Sequence, residues 1–136
     1  MRRNAVGLVL LCLLALTLAS PAEARELSRW DFTVYLDKKK IGRHSFEVTN
    51  TAGITQVRSE AKFRYNFLLR PAYRYDHSAA ERWSEDCLLG LDADTVTNGD
   101  RIRVSGERNG DRFTVVSDKG PADLPECVMS FAYWNP

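Results

Sequence analysis

The sequence predicts an all-β fold: an antiparallel meander forming a curved sheet, β-roll or partly open barrel. Three observations predict it. Apolar and polar residues alternate with a period of two through most of the chain after residue 25, which is the strand signature. Two Asn-Gly pairs, Asn98-Gly99 and Asn109-Gly110, stand between alternating runs, where tolerance of positive φ suits a hairpin turn. No segment of that part of the chain carries a helical period.

The elements follow in order. Trp30, Phe32, Val34 and Leu36 share one face of the first run, with Asp31, Thr33 and Tyr35 opposite, and residues 37–40 read as a turn. Gly42, His44, Phe46 and Val48 form one face of the second, backed by Arg43, Ser45, Glu47 and Thr49; residues 50–53 form the next turn. The third run is the clearest. Gln56, Arg58, Glu60, Lys62 and Arg64 make a charged face that must meet water, and Val57, Ser59, Ala61, Phe63 and Tyr65 make the other. Residues 66–70 read as a loop or bulged connection, because Pro71 brings no ladder donor. Strands follow over about 73–83 and 88–97. A sixth carries Ile102 and Val104 inward, and a seventh is marked by Phe113 and Val115. From Lys119 the pattern weakens, with a last strand expected over residues 128–133. Seven or eight one-sided strands must curl around their apolar face or pack against something.

The first 24 residues read as a secretory leader. Arg2 and Arg3 precede an apolar run from Ala5 to Ala19, and Ala22-Glu23-Ala24 is a small-residue cleavage pattern. The run is too short for a comfortable transmembrane span, and no second one follows. Cys12 lies inside the run behind Leu10 and Leu11, which argues against lipid attachment. Residues 25–136 then make one β domain with a periplasmic or secreted location. Because Phe131, Tyr133 and Trp134 come just before the end, the domain is expected to continue past Pro136; the alternative is a terminal strand docked on the sheet edge. The whole chain holds 19 basic and 18 acidic side chains, and the leader takes Arg2, Arg3 and Glu23 with it. A neutral exported domain lacks the basic footprint of a nucleic-acid binder. Cys87 and Cys127 remain, and an oxidising compartment favours their pairing over two free buried thiols.

The apolar faces carry polar groups. His44 lies with Phe46 and Val48, and His77 with Tyr73, Tyr75, Ala79, Glu81 and Trp83. Buried polar groups need partners. One reading is a hydrogen-bonded network within the core. A second is a ligand cavity lined by His44, Tyr73, Tyr75, His77, Glu81 and Trp83, mostly apolar with a few placed polar groups. A third is catalysis or metal binding by His44, His77 and Glu81. Lys62, Arg64, Arg70 and Arg74 interleave with aromatics as charges out and rings in. Phe67-Leu68-Leu69 beside Arg70 is an apolar tip that either touches a membrane surface or a partner or, as is more common, plugs the end of a roll. Asp92 and Asp94 read as solvated strand residues. No Gly-rich phosphate loop, nucleophile elbow or zinc spacing is present, so no cofactor, metal or catalytic residue is assigned.

Trp30-Asp31-Phe32-x-Val34-x-Leu36-Asp37, then Ile41-Gly42-x-His44-x-Phe46-x-Val48, resembles an uncharacterised family of exported Gram-negative envelope proteins. Tyr73-Arg74-Tyr75-Asp76-His77, Glu81-x-Trp83, Cys87-Leu88 and the segment from Cys127 to Pro136 carry the same resemblance. It implies an antiparallel β-roll, an envelope location and a chain that runs past Pro136; it implies no activity.

The expectation is therefore a non-enzymatic periplasmic β-roll that binds a hydrophobic or amphipathic, lipid-like small molecule. Two alternatives stand beside it: an interaction module for another protein in envelope assembly, and a hydrolase-type enzyme using His44 and His77.

Overall fold

A computed structural model describes residues 26–68 and 70–130 of the chain. The expected leader, and residues 131–136, lie outside that range. The described part is all-β: β1 (Glu26–Leu36), β2 (Lys39–Thr51), β3 (Ile54–Phe67), β4 (Arg70–Ser84), β5 (Cys87–Thr97), β6 (Asp100–Asn109), β7 (Arg112–Ser117) and β8 (Gly120–Pro125). They form one eight-stranded antiparallel sheet in the order β1 to β8, a meander that is not closed on itself. No described helix is long and apolar enough to cross a membrane.

Tight turns set this topology. Asp37-Lys38 and Ala52-Gly53 take positive φ at both positions, as does Asn98-Gly99. Such two-residue loops match the right-handed twist of the flanking strands. Asn98 adds to its turn by accepting the Arg74 backbone N–H on Oδ1 at 2.8 Å. The second Asn-Gly signal is displaced by one residue. Asn109 pairs with Arg112 inside the ladder, so Gly110-Asp111 make the turn, with only Gly110 at positive φ.

One expectation is resolved and one is corrected. Residues 66–70 form the bulged connection rather than a loop: β3 runs to Phe67, β4 begins at Arg70, and a register shift after Tyr65 precedes the Asn66–Pro71 pair. The last described strand is β8, in the stretch where the alternation weakens. Prolines bound it and its side chains are nearly all exposed, so it pairs with β7 without a buried face to imprint a pattern. Val128–Ser130 is irregular; the rest of the expected 128–133 strand lies outside the described residues.

Register assigns the faces. Directly paired residues share a face, and one row reads Ser28, Val48, Val57, Glu81, Leu91, Gly106, Val115 from β1 to β7. On this apolar face Phe46, Val57, Trp83, Leu88 and Phe113 form the buried core, with Val48, Leu91, Val115 and Val128 packed against it. The core occupies one end of the sheet. The chain after β8 crosses back to it, where Val128 O accepts the Leu88 N–H at 3.0 Å and a Cys87–Cys127 disulfide ties the crossing to β5.

The opposite face is charged and laced with ion pairs. Arg64 grips both Asp76 oxygens at 2.7 Å, and Asp94 takes Arg101 and Arg103. Arg82 reaches Glu107 across β5 at 2.7 Å, over Gly90, where a Cβ would meet both side chains. Gly42 has a backbone reason: a Cβ there would fall onto the Lys62 carbonyl, so only glycine lets β2 and β3 approach.

Candidate functional site

Away from the core, the apolar face stays open. Its next row runs Phe32, His44, Ala61, His77, Thr95, Ile102, and the row beyond it Val34, Gly42, Phe63, Tyr75, Thr97. Phe32 is 51% exposed, Ile102 48% and Trp30 40%. Four of the sequence-derived candidates gather in this stretch: His44, Tyr73, Tyr75 and His77. Tyr75 is stacked between neighbours, 5.2 Å from Phe63, 6.0 Å from His77 and 6.3 Å from Tyr73 between ring centroids. Strand pleat explains the ladder of rings, since residues 73, 75 and 77 point the same way from β4. His44 lies 4.2 Å from Phe46, which joins the stripe to the core.

Glu81 and Trp83 stand at the packed end instead. Glu81 accepts the Trp83 Nε1–H at 3.0 Å and the Ser130 hydroxyl at 2.9 Å. Trp83 is 1% exposed. The two histidines are separated by the β3 residue Ala61 in their row, about 10 Å apart at the usual strand spacing. His77 Nδ1 pairs with the Thr95 hydroxyl at 2.8 Å. Cys87 and Cys127 are joined as the disulfide.

His44 differs from the rest. Its Nε2 is buried and has no hydrogen-bond partner among the described residues. Buried imidazole nitrogens are normally paired, because an unpaired one forfeits hydration without compensation. Thr95, bonded to the candidate His77, is a residue that the sequence reading did not single out. Its signal was the phase of β5, which puts Ala93, Thr95 and Thr97 beside Ala79, His77 and Tyr75. Phe63, also on the apolar face by alternation, acquires its role only through the register that brings it onto Tyr75.

Burial on the apolar face holds both imidazoles below their ordinary value of 6.5. His77 adds to the effect at His44, whereas Glu81 and Asp94 oppose it at His77. Burial likewise pushes the Tyr75 hydroxyl up, helped by Tyr73 and opposed by a hydrogen bond with Thr95. The unfolded chain therefore takes up protons on these histidines before the folded one does. Their stabilising neutral form is fully present above pH 6.5, and its contribution is lost as pH falls from there through the folded-state values. Tm is expected to drop as the pH goes below 6.5, and a His44→Leu/His77→Phe variant to flatten that slope. An unchanged slope in the double variant would assign the acid sensitivity to other groups.

Hollows border the candidates from the charged side. One of about 410 Å³ lies between His77, Lys62, Asp76 and Arg101, and one of about 740 Å³ between Tyr73, Arg74, Asn98 and Arg101. A hollow of about 800 Å³ has a floor of Ser78, Ala80 and Ser105, small residues among Arg58, Glu60, Asp94 and Arg103. Among the described residues, no three His, Cys, Asp or Glu side chains group as metal ligands. The apolar tip is exposed at Leu68.

No curated protein and no solved structure matches the chain. Residues 32–136, from the second half of β1 onward, match the domain of unknown function DUF6134, and the chain belongs to that family.

Proposed function

We propose that this protein works in the periplasm as a non-enzymatic carrier or sensor, binding a hydrophobic or amphipathic small molecule along the open aromatic part of its sheet. One observation carries the reading: the buried, unpartnered Nε2 of His44 beside half-exposed rings. An apolar surface with a few placed polar groups is what fixes the orientation of an amphiphile. Phe32, Phe63, Tyr73 and Tyr75 supply area. His44, His77 and the tyrosine hydroxyls receive the polar head. The disulfide fits an oxidising compartment. Glu81 is committed to Trp83 and Ser130, so among the described residues neither histidine is hydrogen-bonded to a carboxylate, which weakens the hydrolase alternative.

A second reading, an interaction module of envelope assembly, is favoured by Leu68, 80% exposed at the β3–β4 tip beside Arg70.

Native mass spectrometry of protein purified from the periplasm tests the first reading. A reproducible adduct that extracts into organic solvent is expected, and its absence shifts the weight to the second. His44→Leu is expected to lose the adduct. It is also expected to raise stability by about 1 kcal/mol, because it removes an unsatisfied buried group while keeping apolar bulk. Loss of the adduct together with a destabilised fold would instead make His44 a structural residue.

A further inference from the structure

We propose that two copies of this chain join edge to edge through β1, antiparallel, with Trp30 facing Trp30 of the second copy across a two-fold axis.

The two edges of the sheet are built differently. β8 is short, carries Pro121 and Pro125, and presents Asp123, all devices that discourage strand addition. β1 is eleven residues long, contains no proline, and among the described residues pairs only with β2. Its single register shift lies at the Val34/Tyr35 end, and Lys38, Lys39 and Lys40 come after the strand has ended. Between these limits a regular strand leaves alternate N–H and C=O groups without a ladder partner among the described residues. Its apolar side chains are open: Leu27 is 59% exposed, with Trp30 and Phe32 described above. A long, regular edge with exposed apolar side chains is a template for another strand.

Charge selects the second copy as that strand, and it also selects the register. A two-fold axis through a residue pairs positions of equal parity, so the apolar faces of both sheets stay on one side. Passed through Arg29 or through Asp31, the axis sets two like charges directly opposite each other, which is destabilising. Passed through Trp30, it sets Arg29 opposite Asp31 of the second copy, and Asp31 opposite its Arg29. Within one copy these two side chains already pair at 3.0 Å and remain about 60% exposed, so each needs only a rotamer change to cross the edge. On the apolar face the same register stacks the two indoles and puts Ser28 opposite Phe32, a small residue against a ring. The aromatic stripe of each copy becomes continuous with that of the other. This inference stands whether or not a small molecule binds there.

Sedimentation velocity on the purified protein over a range of concentrations tests it. A reversible dimer is expected. Asp31→Arg sets arginine against arginine twice and is expected to weaken dimerisation by about tenfold or more. Reversing both charges, Arg29→Asp with Asp31→Arg, is expected to restore it to within about threefold, since the pairing is kept with its signs exchanged. Both positions are exposed, so the variants keep the fold. Trp30→Cys then reads the register: oxidation is expected to join the two introduced thiols, identified as a cross-linked peptide, whereas Phe32→Cys is not. A protein that stays monomeric at about millimolar concentration, where weak edge contacts would register, overturns the proposal. So does a dimer indifferent to Asp31→Arg, or a cross-link that forms through position 32 rather than 30.

Discussion

Replacing Cys87 and Cys127 by alanine is expected to lower the unfolding free energy by about 4 kcal/mol. The two cysteines are 40 residues apart in sequence and bonded to each other. Cross-linking them removes the entropy of closing a loop of that length from the unfolded ensemble, which by the chain-entropy relation gives that figure. The folded state loses something too. The disulfide holds the crossing segment that lays Val128 on the core and brings the Ser130 hydroxyl to Glu81. For a domain of this size the total stability is only about 5–15 kcal/mol, so the loss is a large share of it. Urea unfolding of the double variant against the oxidised parent measures it directly, and a Tm drop of more than about 15 °C is the thermal counterpart. Hydrogen exchange adds a local readout. The Leu88 amide, bonded to Val128, is expected to lose protection before the β3–β4 amides do. A variant within about 1 kcal/mol of the parent would mean that the crossing segment is held by packing alone.

Much of this fold was legible because one force wrote it. Water must meet Arg58, Glu60, Lys62 and Arg64 while Val57 and Ala61 are buried, so the alternation in β3 shows in the sequence as a period of two. Turn chemistry was legible at Asn98-Gly99 for the same local reason. What stayed hidden depended on distant partners. β8 buries almost nothing, so no hydrophobic pattern marks it; it exists because β7 offers a ladder. Pro71 signalled a loop or bulged connection over 66–70, but the position of the register shift after Tyr65 is a matter of pairing that alternation within one strand cannot report. The candidate site divides along the same line. Alternation put His44, Tyr73, Tyr75, His77, Glu81 and Trp83 on one face, and they share it. It could not say where along the face the core would collect. Glu81 and Trp83 went to the packed end because Leu88, Phe113 and the crossing segment meet there. The unpartnered nitrogen of His44 and the Thr95 hydroxyl on His77 follow from neighbours one and two strands away.

Trp83→Ala is expected to cost about 3–5 kcal/mol, as much as the disulfide or slightly more. The indole is among the largest fully buried side chains and packs with Phe46, Val57, Leu88 and Phe113. Truncation removes its transfer energy and leaves a cavity that a pleated sheet cannot close, since the flanking strands are fixed by their ladders. It also takes from Glu81 the donor at 3.0 Å, leaving a partly buried carboxylate with Ser130 as its remaining described partner. Trp83→Phe separates the two losses. It keeps most of the ring and deletes the N–H, so it is expected to cost about 1–3 kcal/mol, the penalty of an under-satisfied buried group. Adding Glu81→Gln to it completes a double-mutant cycle, and a coupling of at least about 0.5 kcal/mol is expected if the bond contributes. These costs belong to the core and not to the open stripe. Trp83→Phe is therefore expected to keep any adduct seen by native mass spectrometry, while His44→Leu loses it without loss of stability. A Trp83→Ala protein within about 1.5 kcal/mol of the parent would contradict the placement of the core around this residue. An adduct lost on Trp83→Phe and kept on His44→Leu would move the ligand from the open end of the sheet to the packed one.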